Sequence, residues 1–237
     1  MVIDKSRILI GLLLVCLFIL SYFFNLDLII VFLVFFFSIF ELFRCRFINN
    51  FYDYIIILLS IICVPLIYLK YEMLNILNIF LVLSILIILF LPNFYLKRFF
   101  LITVLIFLLN FFSITVNDRN LLYLLVFIAF FNDTTAYIFG KAFKGPLIVP
   151  SISPKKTWSG TGVSFILTTF IIYQYTISLF LSCLLSISLF FGDIFYSFIK
   201  RKSKLKDFSN FLLGHGGVLD RIDSMFFFVL IVNYNFL

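Results

Sequence analysis

The chain is a succession of long apolar runs separated by short stretches of charged and turn-forming residues. A helix needs roughly 20 apolar residues to cross the hydrocarbon core of a bilayer, and these runs have that length. They are apolar on every side, whereas the strands of a membrane barrel alternate apolar and polar residues. Charged residues make up only 12%, which excludes an ordinary soluble domain. We therefore predict an all-α, polytopic helical membrane protein with about nine transmembrane helices, over residues 8–24, 27–43, 51–69, 74–92, 98–116, 120–139, 158–174, 177–199 and 218–236.

Nine spans distribute the basic residues very unevenly between the two sides of the membrane. Lys70 and Arg119 fall on one side and fifteen basic residues on the other. Because cytoplasmic loops are enriched in Lys and Arg, we expect a cytoplasmic N-terminus and an external C-terminus. The first run resembles a signal peptide but has no small-residue cleavage site, so we expect an uncleaved helix. The fifteen are Lys5, Arg7, Arg44, Arg46, Lys97, Arg98, Lys141, Lys144, Lys155, Lys156, Lys200, Arg201, Lys202, Lys204 and Lys206.

Four aspartates fall within the cytoplasmic halves of predicted spans. They are Asp133, Asp193, Asp220 and Asp223, the last two opening the ninth span three residues apart, on one helix face. An acid within a span costs about 2.5–3.5 kcal/mol on insertion scales, so such residues are usually functional. The sequence offers them no matching buried cation beyond Arg221, which favours a hard divalent ion such as Mg²⁺. A salt bridge between Asp220 and Arg221 at a helix start is the alternative interpretation of that pair.

Two cytoplasmic loops contain residues suited to binding phosphate. SISPKKTWSGTG (151–162) has hydroxyls and two lysines, which we expect in a loop just before a helix. GHGG (214–217) offers backbone N–H groups at the start of a helix, and helix N-termini favour anions. His215 is a phosphate donor, a base or a loop-packing residue on this evidence. The Walker motif is absent, and a single histidine without clustered cysteines indicates neither a nucleophilic triad nor zinc.

The motifs between residues 130 and 225 resemble those of a known family. SFIKR (197–201), KDFS (206–209) and GHGGVLDRID (214–223) together resemble the signature of the phosphatidate cytidylyltransferases, also called CDP-diacylglycerol synthases. DTTAYIFG (133–140), SPKKTW (153–158) and the pair Gly192–Asp193 are also similar to that family, in its order. The first 125 residues resemble the family only as hydrophobic spans. This division predicts N-terminal transmembrane helices over 1–125, acting as a dimer and lipid scaffold, and a catalytic transmembrane region over 126–237.

The resemblance implies that CTP and phosphatidate are converted to CDP-diacylglycerol and pyrophosphate with Mg²⁺. It implies that Asp193 and Asp220 bind the metal, and it suggests a second cation such as K⁺. It also implies phosphatidate and membrane lipids as partners, a homodimer, no nucleic acid, and a multi-pass location in the inner membrane of a bacterium. The expected catalytic residues are Asp193, Asp220, Asp223, Lys200, Arg201 and His215. The expected substrate-binding residues are Ser153, Lys155, Lys156, Thr157, Ser197, Lys206, Asp207, Gly216, Gly217, Arg221 and Asp133.

Three positions depart from the family pattern. Tyr196 and Ser159 stand where the family usually has glutamate, and Leu213 stands where it commonly has proline. The loss of two carboxylates places the second cation site in question. Three other functions were weighed. A CTP-dependent lipid-alcohol kinase would lack the full signature, a CDP-alcohol phosphotransferase needs a D-G-x-x-A-R run that is missing, and an ion-coupled transporter carries its acids near the midplane.

Overall fold

A computed structural model describes residues 16–68, 96–209, 211 and 216–236. Residues 16–24 are helical, and a turn at Asn25 separates them from the next helix. The further helices are α1 (Asp27–Arg44), α2 (Phe51–Tyr68), α3 (Leu96–Asn117), α4 (Arg119–Phe143), α5 (Trp158–Thr176), α6 (Leu179–Lys202), α7 (Leu219–Ile222) and α8 (Met225–Phe236). Two short strands, β1 (Leu147–Val149) and β2 (Ser153–Thr157), pair between α4 and α5.

Helices α1 to α6 begin and end within a few residues of six predicted spans. Four described helices, α2, α3, α4 and α6, are long and apolar enough to cross a membrane. The chain is therefore a helical, multi-pass membrane protein. The predicted span 74–92 and part of the span 8–24 lie outside the described residues, so the number nine and the orientation stay predictions.

The ninth predicted span is not one continuous helix. The structure has the short helix α7, a turn at Asp223–Ser224 and then α8. The prediction that Asp220 and Asp223 share one face of a helix is wrong, because Asp223 lies in the turn. The physical reason is that its carboxylate accepts a hydrogen bond from the Ser224 backbone N–H at 2.9 Å, a local bond that competes with the helical pattern.

The segment before the seventh span is also more ordered than a loop. We predicted Lys155 and Lys156 in a loop, but both lie in β2, which pairs antiparallel with β1 in the register Leu147↔Thr157 and Val149↔Ser153. The Trp158 N–H donates to the Pro146 carbonyl at 2.9 Å and closes the open end of the hairpin. Its prolines and charged residues gave no strand pattern, which is why the sequence did not predict it.

The described residues divide into two compact units. The first comprises the described part of Met1–Arg119 together with Leu205–Arg221, and the second comprises Asn120–Lys204 with Ile222–Leu237. In the first, α3 packs against α1 and α2 and is buried along most of its length. Phe100 of α3 stacks on Phe208 with ring centroids 5.4 Å apart, and Phe47 packs against both rings. The return segment 205–221 is thereby anchored on the helices of its own unit.

In the second unit, α6 packs against α5 on one side and α8 on the other. Two glycines set how closely its elements approach. A Cβ on Gly160 would lie 2.9 Å from the Gly140 Cα, so α4 and α5 touch backbone to backbone there. A Cβ on Gly192 would lie 2.6 Å from the Asp223 carbonyl oxygen, so only glycine lets the Asp223–Ser224 turn rest on α6. That turn therefore lies directly against the helix that carries Asp193.

Candidate active site

An ion pair between Lys156 and Asp193 is the centre of the second unit's polar site. The Lys156 Nζ contacts the Asp193 Oδ2, and each side chain is 23% exposed. The Ser197 hydroxyl, one turn further along α6, donates to the Asp193 Oδ1 at 3.3 Å. Asp193 and Ser197 therefore lie on one face of α6, and the hairpin supplies the lysine. A positive and a negative group are thus held side by side, with part of each side chain exposed.

Asp133 of α4 belongs to the same polar site. Its Oδ2 accepts a hydrogen bond from the Ser224 hydroxyl at 3.4 Å, and its Oδ1 accepts one from the Asn132 amide at 3.4 Å. The Asp193 carboxylate and the Lys156 ammonium both act on it electrostatically. Helix α4, helix α6, strand β2 and the Asp223–Ser224 turn therefore bring two carboxylates and one lysine together.

A second ion pair joins the turn to α6. The Lys200 Nζ lies 3.6 Å from the Asp223 Oδ2, and the side chains are only 9% and 12% exposed. The expectation that the four aspartates have no matching buried cation beyond Arg221 is therefore wrong for Asp223, which faces the buried Lys200, and Asp193 also has a cation partner in the partly exposed Lys156. Helical spacing alone could not reveal these pairs, because one partner of each lies outside α6. The inference of a metal ion from unmatched charge loses that part of its support.

The hairpin residues predicted to bind substrate lie along β2. Thr157 caps α5, since its hydroxyl oxygen accepts a hydrogen bond from the Gly160 N–H at 3.2 Å. Ser153 pairs with Val149 of β1, and Lys155 lies between Ser153 and Thr157 along β2. The exposed Arg201, at the end of α6, donates from Nε to the Ile152 carbonyl at 3.2 Å. The basic end of α6 and the hairpin are thus connected.

Asp220 organises the signature segment within the first unit. Its Oδ2 accepts hydrogen bonds from the backbone N–H groups of Phe208 and Gly217, each at 2.9 Å. Gly216 has φ of +80°, a conformation that other residues rarely adopt, and a Cβ there would lie 2.9 Å from the same oxygen. The aspartate after GHGG therefore ties KDFS to the glycine cluster. Gly216 and Gly217 are buried, while Lys206, Asp207 and Arg221 are exposed; His215 lies outside the described residues.

Glu41 is the residue that the sequence reasoning missed. It lies in α1, is 1% exposed, and is some 170 residues away from its partners along the chain. Its Oε1 accepts hydrogen bonds from the Ser209 hydroxyl and the Val218 N–H, both at 2.7 Å, and its Oε2 accepts one from the Leu219 N–H at 3.0 Å. A Cβ on Gly217 would collide with both oxygens. The signal was available, because an acid inside a span is costly wherever it occurs.

The same environment makes Cys45 unreactive. Its thiol, just past the end of α1, donates to the Phe208 carbonyl at 2.8 Å. Burial, followed by the negative charges of Glu41 and Asp220, raises the pKa of Cys45 to about 11. Since the thiolate is the nucleophile, this cysteine is neutral near pH 7 and serves as a packed hydrogen-bond donor.

The donor set of the second unit suits a magnesium ion. Among the described residues no group of three or more His, Cys, Asp or Glu side chains gathers into a ready-made cage. Mg²⁺ does not need one, because it is commonly held by one or two carboxylates together with water and substrate phosphates. Asp193 and Asp133 provide two such carboxylates, the first half-buried and the second exposed. A zinc site made of cysteine and histidine has no counterpart there.

Two positions that depart from the family pattern have structural roles. Tyr196 is fully buried, with its ring packed against Phe226 at a centroid distance of 5.7 Å. The Ser159 hydroxyl oxygen accepts a hydrogen bond from the Gly145 N–H at 3.1 Å, and a Cβ on Gly145 would collide with it. A glutamate at the first position would place a charge in a fully buried site packed with aromatic rings. Neither residue supplies a carboxylate to a second cation.

Comparison with known proteins gives this arrangement its context. The model of a family described as the cytidylyltransferase family matches residues 5–237, almost the whole chain. The chain belongs to this family. Proteins named phosphatidate cytidylyltransferase are 39% identical over 148 residues in Rickettsia conorii and 40% identical over 141 residues in Rickettsia felis. One from Aquifex aeolicus is 35% identical over 153 residues.

These matches cover part of each protein. The aligned stretch is 56% of this chain and 64% of the R. conorii protein, 53% and 62% for R. felis, and 58% and 55% for A. aeolicus. The chain thus covers less than two thirds of these relatives' length. The resemblance seen in the signature motifs is nevertheless confirmed as membership of the cytidylyltransferase family.

Proposed function

We propose that this protein is a phosphatidate cytidylyltransferase, which transfers CMP from CTP to phosphatidate and releases pyrophosphate. The observation that carries the proposal is the partly exposed Lys156–Asp193 pair, in a chain of the cytidylyltransferase family. A lysine of the hairpin beside carboxylates of two apolar helices suits a reaction between a polyanion from water and an anionic lipid. The names of the relatives agree with this assignment.

In the proposed reaction, a phosphate oxygen of phosphatidate attacks the α-phosphorus of CTP. A new P–O bond forms, the bond from the α-phosphorus to the bridging oxygen breaks, and pyrophosphate leaves with that electron pair. All reacting groups are anionic, so the protein's work is to position them and offset their charge. Lys156 would leave Asp193 to contact a phosphate, and Arg201 would add positive charge near it. Lys155 remains a proposed substrate contact on the resemblance alone.

Asp193 and Asp133 would hold a magnesium ion in the second unit, and the resemblance assigns Asp220 to the metal as well. When bound, the ion would offset negative charge on the phosphate oxygens. Asp223, Lys200 and His215 remain proposed catalytic residues. Ser153, Thr157, Ser197, Lys206, Asp207, Gly216, Gly217 and Arg221 remain proposed substrate contacts. A homodimer in a bacterial inner membrane, with a cytoplasmic N-terminus and a catalytic region over 126–237, is the proposed setting.

The test is turnover by the purified full chain in detergent micelles, with labelled CTP, phosphatidate and Mg²⁺. We expect CDP-diacylglycerol and pyrophosphate in equal amounts, and no product with Asp193→Asn. Formation of CDP and a phosphorylated lipid from a lipid alcohol would instead indicate a CTP-dependent kinase. Absence of nucleotide turnover, together with ion flux in vesicles, would indicate a transporter.

A further inference from the structure

A small cavity lies in the second unit, between α4, α5 and α6. Its volume is about 210 Å³, and its walls include the polar side chains of Asn132, Thr161, Ser164 and Ser186. The aromatic rings of Trp158 and Phe190 form part of its apolar wall. Such a mixture of apolar walls and a few polar groups is typical of ligand sites.

One of these polar groups, the Ser186 hydroxyl, forms no hydrogen bond within the part of the chain that the structure describes. Ser186 is only 2% exposed. The other two hydroxyls do have partners, since Thr161 donates to the Thr157 carbonyl at 2.6 Å and Ser164 donates to the Thr161 carbonyl at 3.1 Å. Buried polar groups in proteins are nearly always paired, so an unpaired hydroxyl on a cavity wall points to a ligand acceptor.

The position of the cavity indicates which ligand. The Lys156 ammonium lies 5.4 Å from the centre of the Phe190 ring, so the cavity begins beside the Lys156–Asp193 pair. Ser186 precedes Asp193 by seven residues on α6, about 10 Å further from the basic end of the helix. Ile166 and Phe170, on the neighbouring helix α5, expose apolar side chains. A polar head beside Lys156, a polar link in the cavity and apolar chains outside match the layout of a glycerophospholipid.

We propose that this cavity holds the glycerol-ester region of phosphatidate, with the Ser186 hydroxyl donating to an ester carbonyl oxygen. The inference rests on the proposed function and adds a residue that sets lipid recognition. A nucleotide base fits this cavity less well than a lipid ester does, because the base would have to lie beyond Lys156, beside the apolar part of α6. The Asn132 amide, on α4, is a second donor that lines the cavity.

The experiment compares Ser186→Ala with a matched control, Ser188→Ala. Ser188 lies on the same helix and is 4% exposed, but its hydroxyl donates to the Leu185 carbonyl at 2.6 Å. Both variants and the wild-type chain are assayed with ester-linked phosphatidate and with a diether analogue, which lacks the carbonyls. A displacement assay, in which either lipid competes with a fluorescent phosphatidate, measures binding without turnover.

We expect Ser186→Ala to weaken binding of the ester lipid about fivefold, as for one neutral hydrogen bond, and to raise its KM similarly. With the diether lipid, the variant and the wild type should be equal, while the KM for CTP and all values for Ser188→Ala stay unchanged. A raised KM for CTP would assign the cavity to the base. An equal loss with both lipids, or no loss, would overturn the ester contact. If the wild type binds phosphatidate but makes no CDP-diacylglycerol, the proposed function fails while the displacement assay still decides the inference.

Discussion

Replacement of Glu41 tests whether one buried carboxylate holds the signature segment in place. Its two oxygens accept three hydrogen bonds, from Ser209, Val218 and Leu219. Glu41→Gln preserves the shape but turns an N–H₂ group toward at least one of these donors. One buried donor left without a partner costs about 1–3 kcal/mol. Glu41→Ala removes every acceptor at once.

The expected loss of stability in Glu41→Ala follows from the number of donors left unpaired and from the desolvation penalty that the buried carboxylate pays in the wild type. Three unpaired donors would cost up to about 9 kcal/mol if their effects added. Removing the buried charge recovers part of its desolvation penalty, which brings the net cost below that sum. We therefore expect about 3–5 kcal/mol for Glu41→Ala and about 1–3 kcal/mol for Glu41→Gln. For a chain of this size, the first value corresponds to a fall in Tm of about 6–20 °C.

The assay is thermal unfolding in detergent, followed with a thiol-reactive fluorogenic dye that reports the free cysteines as they become exposed. Ser38→Ala is the matched control. Ser38 lies on the same helix, is completely buried, and has no hydrogen-bond partner among the residues described. Turnover measured well below each Tm shows whether the signature segment is also displaced. If Glu41→Ala lowers Tm no more than Ser38→Ala does, the carboxylate does not hold this segment and the reasoning is refuted.

Two further predictions concern the proposed site, and a third concerns the Cys45 thiol. Asp193→Asn and Asp220→Asn should each reduce turnover to less than about a tenth of the wild-type rate, which corresponds to about 1.4 kcal/mol of activation free energy. Only Asp220→Asn should also lower Tm, because Asp220 accepts two backbone hydrogen bonds. A wild-type rate in either variant would remove that aspartate from the site. Lys156→Gln should lower kcat/KM about tenfold to a hundredfold, since a charge-assisted hydrogen bond contributes about 1.5–3 kcal/mol, and an unchanged value would make this lysine purely structural. At pH 7.5 maleimide should label the exposed Cys16 far faster than Cys45, and the labelling rate of Cys45 should rise only as the pH approaches its pKa of about 11. Equal labelling rates at pH 7.5 would contradict the burial of Cys45.

The sequence predicts the helices well because membrane thickness fixes their length. The predicted span 98–116 became Leu96–Asn117, and 177–199 became Leu179–Lys202. These boundaries follow from where apolar residues stop, which is a local property. Local composition therefore suffices to predict them.

Pairing between distant residues could not be predicted in the same way. The contacts of Glu41 with Ser209 and Val218 join residues that no spacing rule connects. The break at Asp223 depends on a local hydrogen bond and on Gly192, whose missing side chain leaves room for the turn. Whether a residue continues a helix there is decided by tertiary contact, which outweighs helix propensity.

The acids sort into two groups by their partners, and this sorting bears on function. Glu41 and Asp220 accept hydrogen bonds from backbone N–H groups, so their charge is engaged in fixing the chain. Asp193 faces a lysine, and Asp223 faces one in addition to its hydrogen bond from the Ser224 N–H. A lysine can move to a different anion without unfolding the backbone. The two lysine pairs differ in access, because the Asp223 pair is nearly buried whereas the Asp193 pair is 23% exposed on both sides. A phosphate arriving from water can therefore compete for Lys156 more readily than for Lys200. On this physical ground the Asp193 carboxylate is the one best placed to exchange its internal partner for a substrate-bound cation.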